Sequence, residues 1–214
     1  MCWNAPVSIC FGLIHLLAFA IVTRRSYRLF TAFYAVMEFY QAFQWLYGDV
    51  GNCSQLNTSV TIIAYGLIWF QPWLYILIGE AEGLQLDYGR KIAITTYVWS
   101  IVTLLLGLCK QPTYYLPNSN FGYPTCTLVG SHGHLHWIFS PISVIYQPSY
   151  YNYVVLIATT MSYYPKQLYP IIQGWTLTLL LSLLYVGTSP ELPAIWCWLS
   201  VLVSLRIILF RLDK

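Results

Sequence analysis

Charge is what this sequence has least of. Its 214 residues carry ten Lys and Arg and seven Asp and Glu, 8% of the chain, where a soluble domain carries about 25%. Seventeen charges are too few to solvate a globule of this size. The same scarcity excludes a nucleic-acid binder, which needs a basic stripe. A content of 58% hydrophobic residues excludes a disordered chain. Alternating segments of about 10 residues with polar inward positions, the mark of a membrane β-barrel, are missing as well.

What the chain has instead is long apolar runs and a mean hydropathy of +0.60. A helix needs about 20 apolar residues to cross a hydrocarbon core of about 30 Å. Seven runs read as spans: Val7–Thr23, Leu29–Tyr47, Thr58–Gly79, Ile92–Cys109, Tyr150–Tyr164 (extended toward its N-terminal side), Leu168–Val186 and Leu192–Phe210. The long connection 110–147 holds a further apolar piece, His134–Tyr146, which is short for a span and broken by Pro141. Charge decides between seven spans and eight. With the N-terminus outside, Arg24, Arg25, Arg28, Arg90, Lys91, Lys166, Arg206, Arg211 and Lys214 fall inside, and Lys110 alone falls outside. The positive-inside rule requires this bias, and an eighth span would reverse the C-terminal cations. The expectation is an all-α, single-domain integral membrane bundle of seven helices, N-terminus outside and C-terminus inside. The piece His134–Tyr146 then reads as a re-entrant or interfacial helix, or as the tilted start of span five. Cations follow the first run rather than precede it, so that run reads as an uncleaved helix and not a signal peptide.

The outer loop 48–57 carries two sequons, Asn52-Cys53-Ser54 and Asn57-Thr58-Ser59, which make Asn52 and Asn57 candidate glycosylation sites. Cys10, Cys109 and Cys197 lie in or beside apolar runs and read as packing residues. Cys2, Cys53 and Cys126 fall outside. A Cys53–Cys126 disulfide would tie two outer connections together in an oxidising compartment, though cysteine count leaves the pairing open. The aromatics Tyr114, Tyr115, Phe121 and Tyr123 of the long connection suggest a packed outer lid.

Ionisable groups inside the hydrocarbon cost about 2.5–3.5 kcal/mol each on insertion scales. Counted from the nearest inner charges, His15, Glu38, Gln71 and Ser100 all come out about 13–15 Å deep, near the midplane. The first three read as one polar cluster that could bind a cation, relay a proton or hold a polar ligand head. Alternatively, Glu38 is neutral glue between helices. Tyr34, Glu38, Gln41 and Trp45 share one face of span two, with Gln44 at its edge, and that face must point into the bundle. Pro72 after Gln71 should free backbone carbonyls nearby. His132, His134 and His136 alternate like a metal tract. Zinc would need a further ligand, with Asp49 and Glu191 the only outer carboxylates, so no metal site is assigned and the plainer reading is a set of imidazoles bonded to loop carbonyls.

The seven spans and outward N-terminus resemble the rhodopsin architecture. A retinal Schiff base, however, needs a lysine that Leu192–Phe210 lacks, so a retinal protein is excluded and no cofactor is expected. Seven-helix intramembrane hydrolases need an intramembrane aspartate, and no span contains one. The opening Met1-Cys2-Trp3-Asn4 with Val7-Ser8, Glu38 with Trp45, Gln71-Pro72, and Gly133-His134-Leu135-His136-Trp137 are together similar to an uncharacterised family of multi-pass proteins in large DNA viruses and some algae. The resemblance implies a viral or algal source and gives weight to Glu38, Gln71 and His134, but implies no activity. The expected function is a small channel or transporter, without enzyme chemistry, moving protons or another small cation along His15, Glu38, Gln41, Trp45, Gln71, Ser100 and His134. The alternatives are a sensor or binding protein for an apolar ligand (lipid, sterol or pigment) and a structural membrane protein. Its surroundings are the bilayer of a host cell or virus, and a homo-oligomer is compatible with the sequence.

Overall fold

The computed structural model describes residues 4–110, 121–142, 149–187 and 190–210. Outside them lie the opening Met1-Cys2-Trp3, the loop aromatics Tyr114 and Tyr115, the extension of span five before Ser149, and Arg211 and Lys214. The helices are α1 (Ala5–Ile21), α2 (Arg25–Tyr47), α3 (Gln55–Glu80), α4 (Asp87–Lys110), α5 (Tyr150–Ser162), α6 (Tyr169–Val186), α7 (Leu192–Leu199) and α8 (Val201–Phe210), with a single 3-10 turn at Lys166–Leu168. Local chemistry starts several of them. Asn4 accepts from the Val7 N–H at 3.0 Å, and Pro6 occupies the first turn of α1. Ser54 and Ser149 cap α3 and α5 in the same way. α3 runs as one helix through Pro72.

Gln55–Glu80, Asp87–Cys109, Lys166–Val186 and Leu192–Phe210 are long and apolar enough to cross a membrane. The helix α1 is apolar but shorter. Glu38, Gln41, Gln44 and two arginines make α2 more polar, and the 13 residues of α5 reach about 20 Å. The core is largely apolar and aromatic, yet large apolar side chains also cover the outside and polar ones are buried. Leu184 is 83% exposed and Leu209 73%, whereas Ser8, His15, Glu38, Gln41, Asn57 and Ser204 are all at 0%. Apolar side chains facing outward beside buried polar groups are compatible with a hydrocarbon solvent.

Hydrogen bonds group the loops by end. Arg24 meets Glu82 at 3.4 Å, and the Tyr27 hydroxyl donates to the Gln167 carbonyl at 2.6 Å. The α1–α2, α3–α4 and α5–α6 connections therefore share one end, which carries Arg24, Arg25, Arg28, Arg90, Lys91 and Lys166. At the opposite end Cys53 and Cys126 are joined by a disulfide.

That opposite end corrects one expectation. Where a re-entrant or interfacial helix was anticipated at His134–Tyr146, Leu135–Ile138 forms strand β2, antiparallel to β1 (Cys126–Val129), with Thr127 opposite Trp137. Residues 143–146 lie outside the described part. The reason is local. Gly130-Ser131-His132-Gly133 makes a tight turn that needs glycine at Gly133 (φ 78°), and Gly130 N–H donates to the His134 carbonyl at 2.8 Å. Beyond the strand the chain runs against α4. Ile142 N–H donates to the Thr103 carbonyl at 3.0 Å, and a Cβ on Gly107 would stand 1.7 Å from the Ser140 oxygen.

One side chain pairs with the edge of the hairpin. Asn57 Oδ1 accepts from the Thr127 N–H at 2.6 Å, while its Nδ2 donates to the Thr127 carbonyl at 2.9 Å and to the Asp49 carbonyl at 2.9 Å. The amide thus acts as a third strand. Buried at 0% exposure with its nitrogen doubly engaged, Asn57 is not open to carry a glycan in this fold, which corrects that candidate. Asn52 is exposed and bonds Asp49.

Replacing Asn57 by Ala strands the buried Thr127 N–H, at about 1–3 kcal/mol, and removes one of the two donors on each of the Thr127 and Asp49 carbonyls, which keep the Gly51 and Asn52 N–H groups. Asn57→Ala is expected to lower the thermal midpoint in detergent by several degrees, with Asn52→Gln unchanged. Equal midpoints for the two variants would contradict the lock.

Candidate functional site

The α1–α2 hairpin sets the site. A connection of only Val22, Thr23 and Arg24 forces the helices antiparallel, so each residue of α1 faces a fixed level of α2. At one level the His15 ring stacks on Tyr34 with centroids 5.9 Å apart. Nearer the lidded end, Ser8 faces the Glu38 carboxyl, while Gly12 leaves room for the Phe39 ring.

His15, Glu38 and Gln71 are all buried, but they do not form one directly bonded cluster. His15 Nδ1 lies 2.7 Å from Ser204 Oγ, and Nε2 lies 3.4 Å from Ser200 Oγ. Gln71 Oε1 accepts from the Tyr34 hydroxyl at 3.5 Å and from the Tyr153 hydroxyl, while its Nε2 reaches the Cys197 sulfur at 3.7 Å. Among the described residues no hydrogen bond joins Glu38 to His15 or Gln71, and neither carboxylate oxygen nor the Ser8 hydroxyl has a partner of standard geometry. Tyr34 is the shared residue, touching His15 and Gln71 and bonding Tyr75 at 3.2 Å. A depth count that sets Arg24 and Arg28 at one level places Glu38 a turn too shallow. α2 already begins at Arg25, so Arg28 stands about 4.5 Å up the helix and Glu38 a turn beyond His15.

The apolar helical run Leu192–Phe210 is interrupted at this site. Ser200 N–H donates to Cys197 and Val203 N–H to Ser200, both i to i+3 bonds, where α7 gives way to α8. Mid-helix tightening of this kind often marks a hinge. Phe30, Tyr34, Gln71, Tyr75, Cys197 and Ser200 are among the walls of a cavity of about 10 Å³ beside the break, room for about one water. Glu38 is within electrostatic reach of Cys197.

The remaining expected positions lie elsewhere. Ser100 is on α4, which packs against α3 and α5; it bonds the Thr96 carbonyl at 2.7 Å and faces Tyr65, so it is not part of the Glu38 layer. Gln41 is buried one turn beyond Glu38, and Trp45 is half-buried near the end of α2. Other contacts of the candidate site come from residues outside the expected set. Ser200 and Ser204 stand four apart on an apolar helix, a readable signal. Tyr75, Tyr153 and Tyr164 were hidden among 19 tyrosines that also serve as interfacial anchors.

Above Gln41 the lid closes the bundle. Gln44 Oε1 accepts from the Trp137 indole at 3.1 Å, and its Nε2 donates to Thr127 Oγ1 at 3.2 Å. At the far side, Glu191, ahead of α7, grips the hairpin turn. Its carboxylate accepts from Ser131 Oγ at 3.1 Å and from the His132 and His134 N–H groups at 3.0 Å each, and lies 3.0 Å from His132 Nδ1. The histidine tract thus clamps a carboxylate through its backbone, and no group of three metal-ligating side chains is found among the described residues. Burial pushes His134 down to about 4, with the Glu191 charge opposing. Burial also raises the Glu191 carboxyl, but hydrogen bonds from His132, His134 and Ser131 outweigh it and hold the group below its ordinary 4.5.

A carboxyl with a lowered pKa contributes stability that is complete above the unfolded value and lost as pH falls through the folded one. Acidification below about pH 4 is therefore expected to loosen the lid. Glu191→Gln should flatten the acid limb of the melting-temperature profile, and an unaltered limb would contradict the clamp.

Comparison with known proteins adds a family without an activity. A family of unknown function, DUF5765, matches residues 7–213. An uncharacterized protein of Acanthamoeba polyphaga mimivirus is 33% identical over 230 positions, covering 98% of this chain and 95% of the relative. No solved structure matches. Most of the length is aligned in both comparisons, and the chain belongs to the DUF5765 family.

Proposed function

We propose that the protein is an integral membrane bundle of seven spans, N-terminus outside and C-terminus inside, in a host-cell or viral membrane, and that it moves protons past Glu38. The observation that carries the reading is Glu38 itself. A carboxylic side chain at 0% exposure, with both oxygens lacking a standard partner among the described residues, is costly in a low-dielectric bundle and is a functional candidate by default. A turn away, the polar set Tyr34, Gln71, Ser200 and His15 lies around the α7–α8 break. A space of about one water suits a proton better than a hydrated cation. The disulfide-bonded end matches an oxidising outside, and the cation-rich end matches the inside. The reading assigns no enzyme chemistry.

A second reading, a structural membrane protein with the polar groups as glue, draws on the closeness of packing. Trp137, Tyr65 and Tyr75 are at most 1% exposed, and the aromatic cavity at Tyr65, Trp69 and Tyr153 holds about 20 Å³. That leaves little room for an apolar ligand.

In liposomes with an imposed pH gradient and an enclosed pH dye, the wild-type protein is expected to dissipate the gradient and Glu38→Gln to abolish that flux without changing the melting temperature. A wild type that moves no protons would overturn the proposal. Loss of stability in Glu38→Ala beside such silence would favour the structural reading.

A further inference from the structure

At the cation-rich end most arginines are engaged. Arg24 pairs with Glu82, Arg90 with Glu80 and Asp87, and Arg206 donates to Gln173. Arg25 and Arg28 differ. Both are exposed, and among the described residues neither has a carboxylate partner. They stand at the mouth of an open groove of about 420 Å³ between α1 and α2, whose remaining walls are Phe19, Thr23, Leu29 and Ala32. The Arg28 guanidinium lies 4.5 Å from the centroid of the Phe19 ring, which fixes it over the apolar floor.

We infer that this groove binds an anionic phospholipid of the inner leaflet, its phosphate between Arg25 and Arg28 and an acyl chain along Phe19, Leu29 and Ala32. The inference rests on the membrane reading above. Three features converge on this occupant. The charge is complementary to a phosphate, and guanidinium groups match phosphate geometry. The first turn of α2 has no acidic residue of its own, and the Glu82 carboxylate that reaches it is engaged by Arg24 and Ser26, so Arg25 and Arg28 face the groove at the positive end of the helix without a carboxylate partner among the described residues, and an anion there fits both. The floor below the arginines is apolar and runs into the depth assigned to hydrocarbon, so the site continues from headgroup level into the acyl region. Basic pockets between spans on the cytoplasmic side are the form such sites take.

The test uses the full chain in detergent, with melting temperature and native mass spectrometry read against three additions: phosphatidylglycerol, phosphatidylcholine and inorganic phosphate. Phosphatidylglycerol is expected to bind and raise the melting temperature, and the other two to do neither. The double variant Arg25→Gln/Arg28→Gln should bind it about 30-fold more weakly, while Lys91→Gln, which removes another cation at the same end, should bind as the wild type does. Equal response to both lipids, an equal effect of inorganic phosphate, or full retention in the double variant would overturn the inference. Alkaline carbonate extraction of membranes keeps the two levels apart. A chain released by it contradicts the membrane reading itself, whereas a retained chain without lipid preference contradicts the groove alone.

Discussion

Every polar side chain in the core of this bundle must find its partner inside, because the outer surface is built of leucine, isoleucine and valine. Leu13, Leu17, Val36 and Ile63 are each more than half exposed, while His15, Glu38, Gln41 and Asn57 are at 0%. In water this arrangement would lose on both counts, leaving apolar area wet and polar groups desolvated. In hydrocarbon the outer surface would cost nothing, and the interior would be where hydrogen bonds are decided. The Asn57 amide pairing with Thr127, the Gln44 bridge to Trp137 and the serines on His15 are compatible with that one constraint. Glu38 stands apart, because its level on α1 offers only Ser8.

Two devices then divide the molecule. At one end a disulfide, a hairpin and the Glu191 clamp make a rigid cover. At the other, loops are joined by the Arg24–Glu82 and Tyr27–Gln167 contacts. Between them the helix break at Ser200 lies beside the small cavity.

Much of the helical order was legible because the apolar runs are long, whereas the caps Asn4 and Ser54 set the starts of α1 and α3 a few residues earlier. The short α1–α2 connection and the positions of Glu38 and Gln71 inside helices were equally plain. The hairpin was not. Its apolar residues mimic a short helix, and what makes it a strand is tertiary: the cystine, the Asn57 amide and the Glu191 carboxylate, none of them local to Leu135–Ile138. Glycosylation at Asn57 was a motif reading that burial overrode. The single midplane layer failed by one helical turn, because charges mark a membrane surface only coarsely while α2 begins at Arg25. Ser100 shared the supposed depth, but depth does not decide which neighbour a helix faces.

The most direct measurement is solvent accessibility of the outer face. Nitroxide labels at Leu13, Leu17 and Leu184, in a chain with Cys2, Cys10, Cys109 and Cys197 replaced, would be examined in liposomes by collision with oxygen and with an aqueous nickel complex. Frequent collision with oxygen and rare collision with nickel at all three positions is the result that lipid solvation predicts. Nickel collision as frequent as at an exposed loop position such as Asn52 would contradict it.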